Sequence, residues 1–173
     1  MARQLWLLRH AEAEPHGARQ DAQRRLTDRG AEQARAAGAA IGRMDVDFEG
    51  VLSSPKVRAR QTAELASEGW SAEQRELLTL HAPLAGGFDA EQALDAMAGI
   101  SADGRLLAVG HEPDFSRVIA ELTGATADLK KGGLAVVRLE GASGELALLM
   151  RPRELALIAD PALIAAGVPA GRE

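Results

Sequence analysis

The chain has 173 residues, 46% of them hydrophobic and 3% aromatic, with a net charge of −5 and no cysteine. That length suits one domain with a sizeable core, and the apolar content excludes a disordered chain. Missing cysteine excludes a disulfide framework and thiolate metal sites, and the negative balance argues against general affinity for nucleic acid.

Gln4-Leu5-Trp6-Leu7-Leu8 reads as a strand buried on both faces, and Arg9-His10 stands where it ends. In open α/β sheets that edge is where ligands bind. His10 is therefore a candidate nucleophile, with Arg9 holding the anion it attacks. The polar stretch from Ala11 to Asp21, with Pro15 and Gly17, reads as a long loop beside the strand end. Thr27 is the expected N-cap of the next helix, with Asp28 in its first turn and a stripe of Ala34, Gly38 and Ile41. Val51 to Ser53 is a short second strand. Ser54 and Pro55 are expected at the N-cap and first position of a helix running to about Ser67, which puts Arg58 within reach of the same edge.

Arg75 to Leu80 is read as a third strand, followed by a loop through Pro83, Gly86 and Gly87 and a helix at about Asp89 to Ala98. Arg105 to Val109 is the second strongly apolar strand, and it ends at Gly110-His111-Glu112-Pro113. Pro113 is expected at the first position of a helix carrying Phe115, Val118, Ile119 and Leu122, with Gly124 just past its end. Ala135 to Leu139 and Glu145 to Met150 are read as a hairpin joined through Gly141 to Gly144. A helical segment follows Arg151-Pro152. Residues 1–165 are expected to form a single domain and 166–173 a mobile tail.

Alternating strands and helices imply a mostly parallel sheet, so three strand-to-helix junctions should share one edge. They carry Arg9-His10, Ser53-Ser54-Pro55 with Arg58, and His111-Glu112. Two histidines and two arginines suit a phosphoryl group. One imidazole can attack phosphorus and carry it covalently, guanidinium groups can neutralise its oxygens, and a second imidazole can donate to one of them.

These segments resemble the histidine phosphatase superfamily, with its phosphoglycerate-mutase-like fold. The matching stretches are Leu8-Arg9-His10-Ala11-Glu12-Ala13, Leu26-Thr27-x-x-Gly30-x-x-Gln33-Ala34, Ser53-Ser54-Pro55-x-x-Arg58-Ala59-x-Gln61-Thr62 and Val109-Gly110-His111. They run in order from residue 3 to about 123. Short length, the Gly-His-Glu-Pro form and Arg-Pro-Arg-Glu-Leu at 151–155 are similar to the small SixA-like phosphohistidine phosphatases. The resemblance implies an α/β three-layer sandwich with one antiparallel portion at the C-terminal hairpin. It implies a phosphatase without cofactor or metal, acting through a phosphohistidine intermediate on His10. Arg9, Arg58 and His111 would be catalytic and bind substrate, and Glu112 would bind substrate.

Larger members of the superfamily supply a Glu or Asp general acid after the third strand. Here Leu77 to Asp89 offers only His81 and Asp89. A phosphorylated imidazole leaves more easily than an alkoxide, so this gap favours a phosphoramidate substrate over an alkyl phosphate ester, with phosphohistidine in a protein as the leading expectation. Glu12, Glu14 and Glu112 stay open as acids, and a small phosphomonoesterase or a non-catalytic phosphoprotein-binding module stays open as the function. Glu12, Glu14 and His16 are read as solvated loop charges rather than metal ligands. Arg24, Arg25 and Arg60 are read as solvated, and Lys130-Lys131-Gly132-Gly133 as a basic turn. The expected partner is a phosphorylated protein or a small phosphorylated metabolite, with no nucleic acid and no membrane. A cytoplasmic monomer is expected, since no long apolar run or signal-peptide pattern is present.

Overall fold

Strand β1 (Arg3–Arg9) lies inside a six-stranded sheet, and the computed structural model describes residues 2–165 of the chain. The expected tail at 166–173 lies outside the described residues. Leu5 and Leu7 join one apolar cluster with Phe115, Val118 and Ile119. Trp6 and Leu8 join a second, with Ala37, Ile41 and Ala59, on the other face. A strand covered on both sides needs just such an unbroken apolar run.

The sheet order is β3-β2-β4-β1-β5-β6. Strands β2 (Gly50–Ser53), β3 (Leu78–Leu80) and β4 (Arg105–Gly110) pair in parallel through β2–β3, β2–β4 and β1–β4. Strands β5 (Leu134–Glu140) and β6 (Ser143–Met150) are antiparallel, β5 to β1 and β6 to β5. Helices α1 (Asp28–Arg43), α2 (Val57–Ser67) and α6 (Pro152–Ala159) cover one face. On the other face lie α4 (Ala90–Met97) and α5 (Asp114–Thr123). Short α3 (Ala72–Glu76) and α7 (Ala162–Ala165) are the remaining α-helices among the described residues. The result is the expected α/β three-layer sandwich with an antiparallel C-terminal portion.

Thr27 caps α1 as expected, its hydroxyl accepting from the Gly30 N–H at 3.1 Å. Two glycines on α1 are dictated by close approach. A Cβ at Gly38 would overlap the carbonyl of Ala66 on α2, and one at Gly30 would overlap the carbonyl of Glu12. The loop after β1 and the second helix therefore lie directly against the α1 backbone.

Four local expectations are corrected. Helix α2 begins at Val57, with Lys56 rather than Ser54 at its N-cap. The Ser54 hydroxyl instead accepts from the Lys56 N–H at 3.2 Å and meets His111 at 2.8 Å. The third strand is only Leu78–Leu80, because Ser71 caps α3 through the Gln74 N–H and helix formers carry the chain to Glu76. Pro113 sits at the N-cap of α5 rather than at its first position, and the helix opens with Asp114. The hairpin turns over Gly141-Ala142, where Gly141 has φ 64°, so β6 starts at Ser143 rather than Glu145.

Candidate active site

Backbone pairing delivers the site residues to one edge. Arg9 is level with Gly110, Ser53 with Val109 and Ser53 with Leu80. The ladder continues one residue further: His10 N donates to Gly110 O, Ser54 N to Val109 O and His81 N to Ser53 O, at 2.8–2.9 Å. His10, His111, Ser54 and His81 thus leave four adjacent strands at nearly one level. The rings of His10 and His111 lie 5.2 Å apart.

The loop after His10 is held by residues of the helix-borne motifs. The Ala11 N–H donates to Thr62 Oγ1, the Glu12 N–H to Gln33 Oε1 and the Leu26 N–H to Gln61 Oε1. Each would otherwise be a buried or half-buried donor without a partner. From the other side, the Gly132 N–H is shared by the Arg9 and His10 carbonyls. Lys130 to Gly133 is thus a turn, as expected, and it braces the strand end.

The tautomer of His10 follows from its partners. Nδ1 faces the Ala11 carbonyl at 2.8 Å, which can only accept. Nε2 faces Arg58 Nε at 3.2 Å, which can only donate. The proton is therefore on Nδ1, and Nε2 presents its lone pair beside a guanidinium. Burial pushes the His10 pKa down to about 3, opposed by the Ala11 carbonyl and reinforced by Arg58, Arg9 and Lys131. Burial is the largest cause, and the arginines act in the same direction because a charged imidazole beside them is disfavoured. His111 is likewise pushed to about 3, first by burial and then by His10, Arg58 and Lys56. Its Nε2 meets the Ser54 hydroxyl and its Nδ1 has no partner.

Arg58 is buried and donates from Nη1 to the Asp21 carbonyl at 2.7 Å and from Nη2 to Asp21 Oδ2 at 3.3 Å. Arg9 donates from Nη1 to the Leu129 carbonyl at 2.8 Å, and its Nε is buried without a partner. Both guanidinium pKa values are lowered, chiefly by burial. Glu112 is half-buried. Its Oε2 accepts a long bond from the Ser116 N–H at 3.4 Å, and its Oε1 has no partner. Burial raises its pKa, against the pull of the Ser116 bonds and Arg9. Among the described residues, the buried side-chain atoms without a partner are Arg9 Nε, His111 Nδ1 and Glu112 Oε1. All three belong to residues at this sheet edge, and such orphans are costly where no ligand meets them.

The model of the histidine phosphatase superfamily, branch 1, matches residues 5–81. The structure of the protein histidine phosphatase SixA complexed with tungstate superposes with a TM-score of 0.75 at 26% identity, covering 88% of this chain and 99% of that one. The chain is thus similar to the histidine phosphatase superfamily, in sequence over residues 5–81 and in fold over 88% of its length. A candidate phosphohistidine phosphatase SixA from Nakamurella multipartitia is 29% identical, with a TM-score of 0.73 over 88% of this chain and 97% of its own. An uncharacterised protein of Picosynechococcus sp. is 29% identical over 163 residues, 88% of this chain and 98% of that protein.

The stretch matched to the superfamily carries Arg9, His10 and Arg58, while His111 and Glu112 lie beyond it. The pairing of β4 with β1 and β2 brings them to the others. Other candidates are placed elsewhere. Glu12 accepts from the Thr27 hydroxyl at 2.8 Å and faces Arg29 at 3.7 Å. Glu14 binds Arg19 and the Arg25 N–H. His16 is 4.0 Å from Asp21. Among the described residues no three His, Cys, Asp or Glu side chains gather as a metal site. Asp89 caps α4, and His81 packs edge-on to Phe88 with rings 6.3 Å apart. The loop between them is anchored by the buried carboxylate of Asp114, which accepts from the Gly87 and Phe88 N–H groups.

Arg24 corrects its expectation of a solvated side chain. It is buried, bonding the Glu14 carbonyl through Nη1 and Asp21 Oδ1 through Nε and Nη2. Asp21 itself went unnoticed in the sequence, because a lone carboxylate in a polar loop carries no periodic or capping signal. No helix among the described residues is long and apolar enough to cross a membrane.

The two low histidine pKa values have a stability consequence. In the unfolded chain each ring titrates near about 6.5. As the pH falls below that value the unfolded chain gains protons that the folded chain does not, until the folded rings titrate at about 3. Stability is therefore full above the unfolded value and is lost on acidification, by up to about 1.4 kcal/mol per pH unit for each ring. Urea unfolding between pH 6.5 and 5 is expected to show this slope, reduced by about half in His111→Gln. An unchanged slope in the variant would show that His111 protonates in place.

Proposed function

We propose that the chain is a phosphatase that works through a phosphohistidine on His10. The observation that carries this reading is the fixed tautomer. Nε2 is unprotonated, accepts from Arg58 Nε at 3.2 Å and lies across from His111, so attack on phosphorus exchanges that bond for one from Arg58 Nε to a phosphoryl oxygen. In the first step Nε2 bonds to phosphorus as the bond from phosphorus to the leaving group breaks. The ring, still holding its proton on Nδ1, gains positive charge, which the Ala11 carbonyl stabilises. Arg58 and Arg9 neutralise the phosphoryl oxygens, and His111 donates to one of them. In the second step a water oxygen bonds to phosphorus, the phosphorus–Nε2 bond breaks, and the water gives its proton to solvent or to His111.

Protein phosphohistidine is the proposed substrate. Support comes from the similarity to SixA, described as a protein histidine phosphatase, and from the carboxylates of the loops. Glu12, Glu14, Asp89 and Asp114 are all engaged in structural bonds. A leaving imidazole needs less protonation than an alkoxide, so it suits a site without an acid.

One observation favours the second reading, a small-molecule phosphomonoesterase. Glu112 has a raised pKa and an unpartnered buried oxygen, as a general acid would. Turnover of a phosphohistidine peptide and of an alkyl phosphate, in wild type and in Glu112→Gln, separates the two. The phosphohistidine peptide is expected to be the faster substrate, with Glu112→Gln within about threefold of wild type on both. Faster ester turnover, with a loss of about 10²-fold or more on the ester alone in Glu112→Gln, would make the chain a phosphomonoesterase.

A further inference from the structure

Arg58 meets two different surfaces through two different edges. Its end-on edge, Nη1 and Nη2, is taken by the Asp21 carbonyl and Asp21 Oδ2. Its side-on edge starts at Nε, which points at His10 Nε2. A guanidinium is planar, so fixing one edge fixes the direction of the other. Asp21 is in turn fixed from behind. Its Oδ1 accepts two bonds from buried Arg24, at 3.1 and 2.8 Å, and its Oδ2 accepts one from Lys56 Nζ at 3.0 Å. Arg24 is tied to the loop through the Glu14 carbonyl.

We propose that Asp21 is a positioning residue for phosphoryl transfer: it grips the end-on edge of Arg58 so that the Nε edge faces the phosphoryl group on its way to His10. This rests on the proposed reading of the site as one for a tetrahedral oxyanion. Asp21 touches neither substrate nor His10 in this role and acts through Arg58. An acidic side chain this near an anion site opposes the anion by charge alone, while the guanidinium it aligns attracts it. The two effects have opposite signs, which makes the role testable. The carboxylate stays ionised throughout the working range, since bonds from Lys56 and Arg24 hold its pKa well below the usual carboxylate values.

The test is a double-mutant cycle with tungstate as the probe, measured by calorimetry. Wild type, Asp21→Ala, Arg58→Ala and the double variant are compared, with Asp21→Asn beside them. If Asp21 works by aiming Arg58, Asp21→Ala weakens tungstate binding about tenfold or more in the wild-type background. In the Arg58→Ala background the same change leaves affinity unchanged or slightly improved, because only the charge effect remains. Asp21→Asn keeps an acceptor oxygen for Nη2 and is expected to bind more tightly than Asp21→Ala but no more tightly than wild type. Tighter tungstate binding in either single Asp21 variant would overturn the proposal, since repulsion would then be the dominant role. An equal loss in both backgrounds would also overturn it, because Asp21 would then act through the loop or Lys56. Asp21→Asn carries the test should Asp21→Ala unfold. Because tungstate binding needs no turnover, the cycle is read even if the chain hydrolyses no phosphorylated substrate, and failure of the phosphatase reading stays separate.

Discussion

His10→Ala is expected to lower kcat for any phosphoryl substrate by at least about 10⁴-fold while leaving the protein folded. The loss is large because the proposed route has no other nucleophile. His111, the nearest second imidazole, is engaged through Nε2 with the Ser54 hydroxyl. The fold should survive because His10 stands one residue beyond β1, and its backbone N–H to Gly110 does not depend on the side chain. What the substitution removes is the ring's bond to the Ala11 carbonyl and its contact with Arg58 Nε. Far-ultraviolet circular dichroism and urea unfolding would report the fold, and steady-state turnover the activity. A folded variant that keeps most of its activity would refute the nucleophile assignment.

Arg58→Ala is expected to cost about 10²- to 10³-fold in kcat, the usual cost of removing one donor to a developing oxyanion. The guanidinium is buried beside the reacting nitrogen, where water screens it poorly. Its removal also leaves Asp21 with fewer positive partners, so KM should rise along with the fall in kcat. Arg58→Lys is expected to recover only part of the loss. An ammonium can supply charge, but it cannot hold Asp21 with one edge and present a second edge to His10. Equal activity of the lysine variant and wild type would show that only the charge at this position matters.

Much of this site was legible in the sequence because its residues stand directly after apolar strands. The run Leu5 to Leu8 reads as a strand covered on both faces, which brings Arg9 and His10 to the sheet edge. The same logic placed His111 after Leu106 to Val109. Arg58 is legible through the Ser54-Pro55 junction, although that junction is not the helix cap it resembles. Ser54 does not cap the helix; it meets His111, and Arg58 is the second residue of α2. Pairings between distant loops were not legible. Asp21 and Arg24 have no spacing that announces an ion pair, and Arg24 is buried only because the loop folds back over α2. The expected strand Arg75 to Leu80 overlaps the end of a helix, Ala72–Glu76, because Ser71 caps that helix and its signal is local and short, which leaves only Leu78–Leu80 extended. The roles of Gln33, Gln61 and Thr62 as acceptors for loop N–H groups likewise appear only once the three segments are brought together.

The central claim is that phosphorus becomes bonded to His10 Nε2. It is tested most directly by mixing the protein with a ³²P-labelled phosphoramidate donor and quenching in alkaline denaturant, because phosphohistidine is acid-labile. Peptide mapping of the labelled protein then locates the phosphoryl group. The expected result is one labelled peptide containing His10, with the label absent in His10→Ala and chased by unlabelled substrate. Steady turnover with no label at His10, or with the label on another residue, would contradict the account.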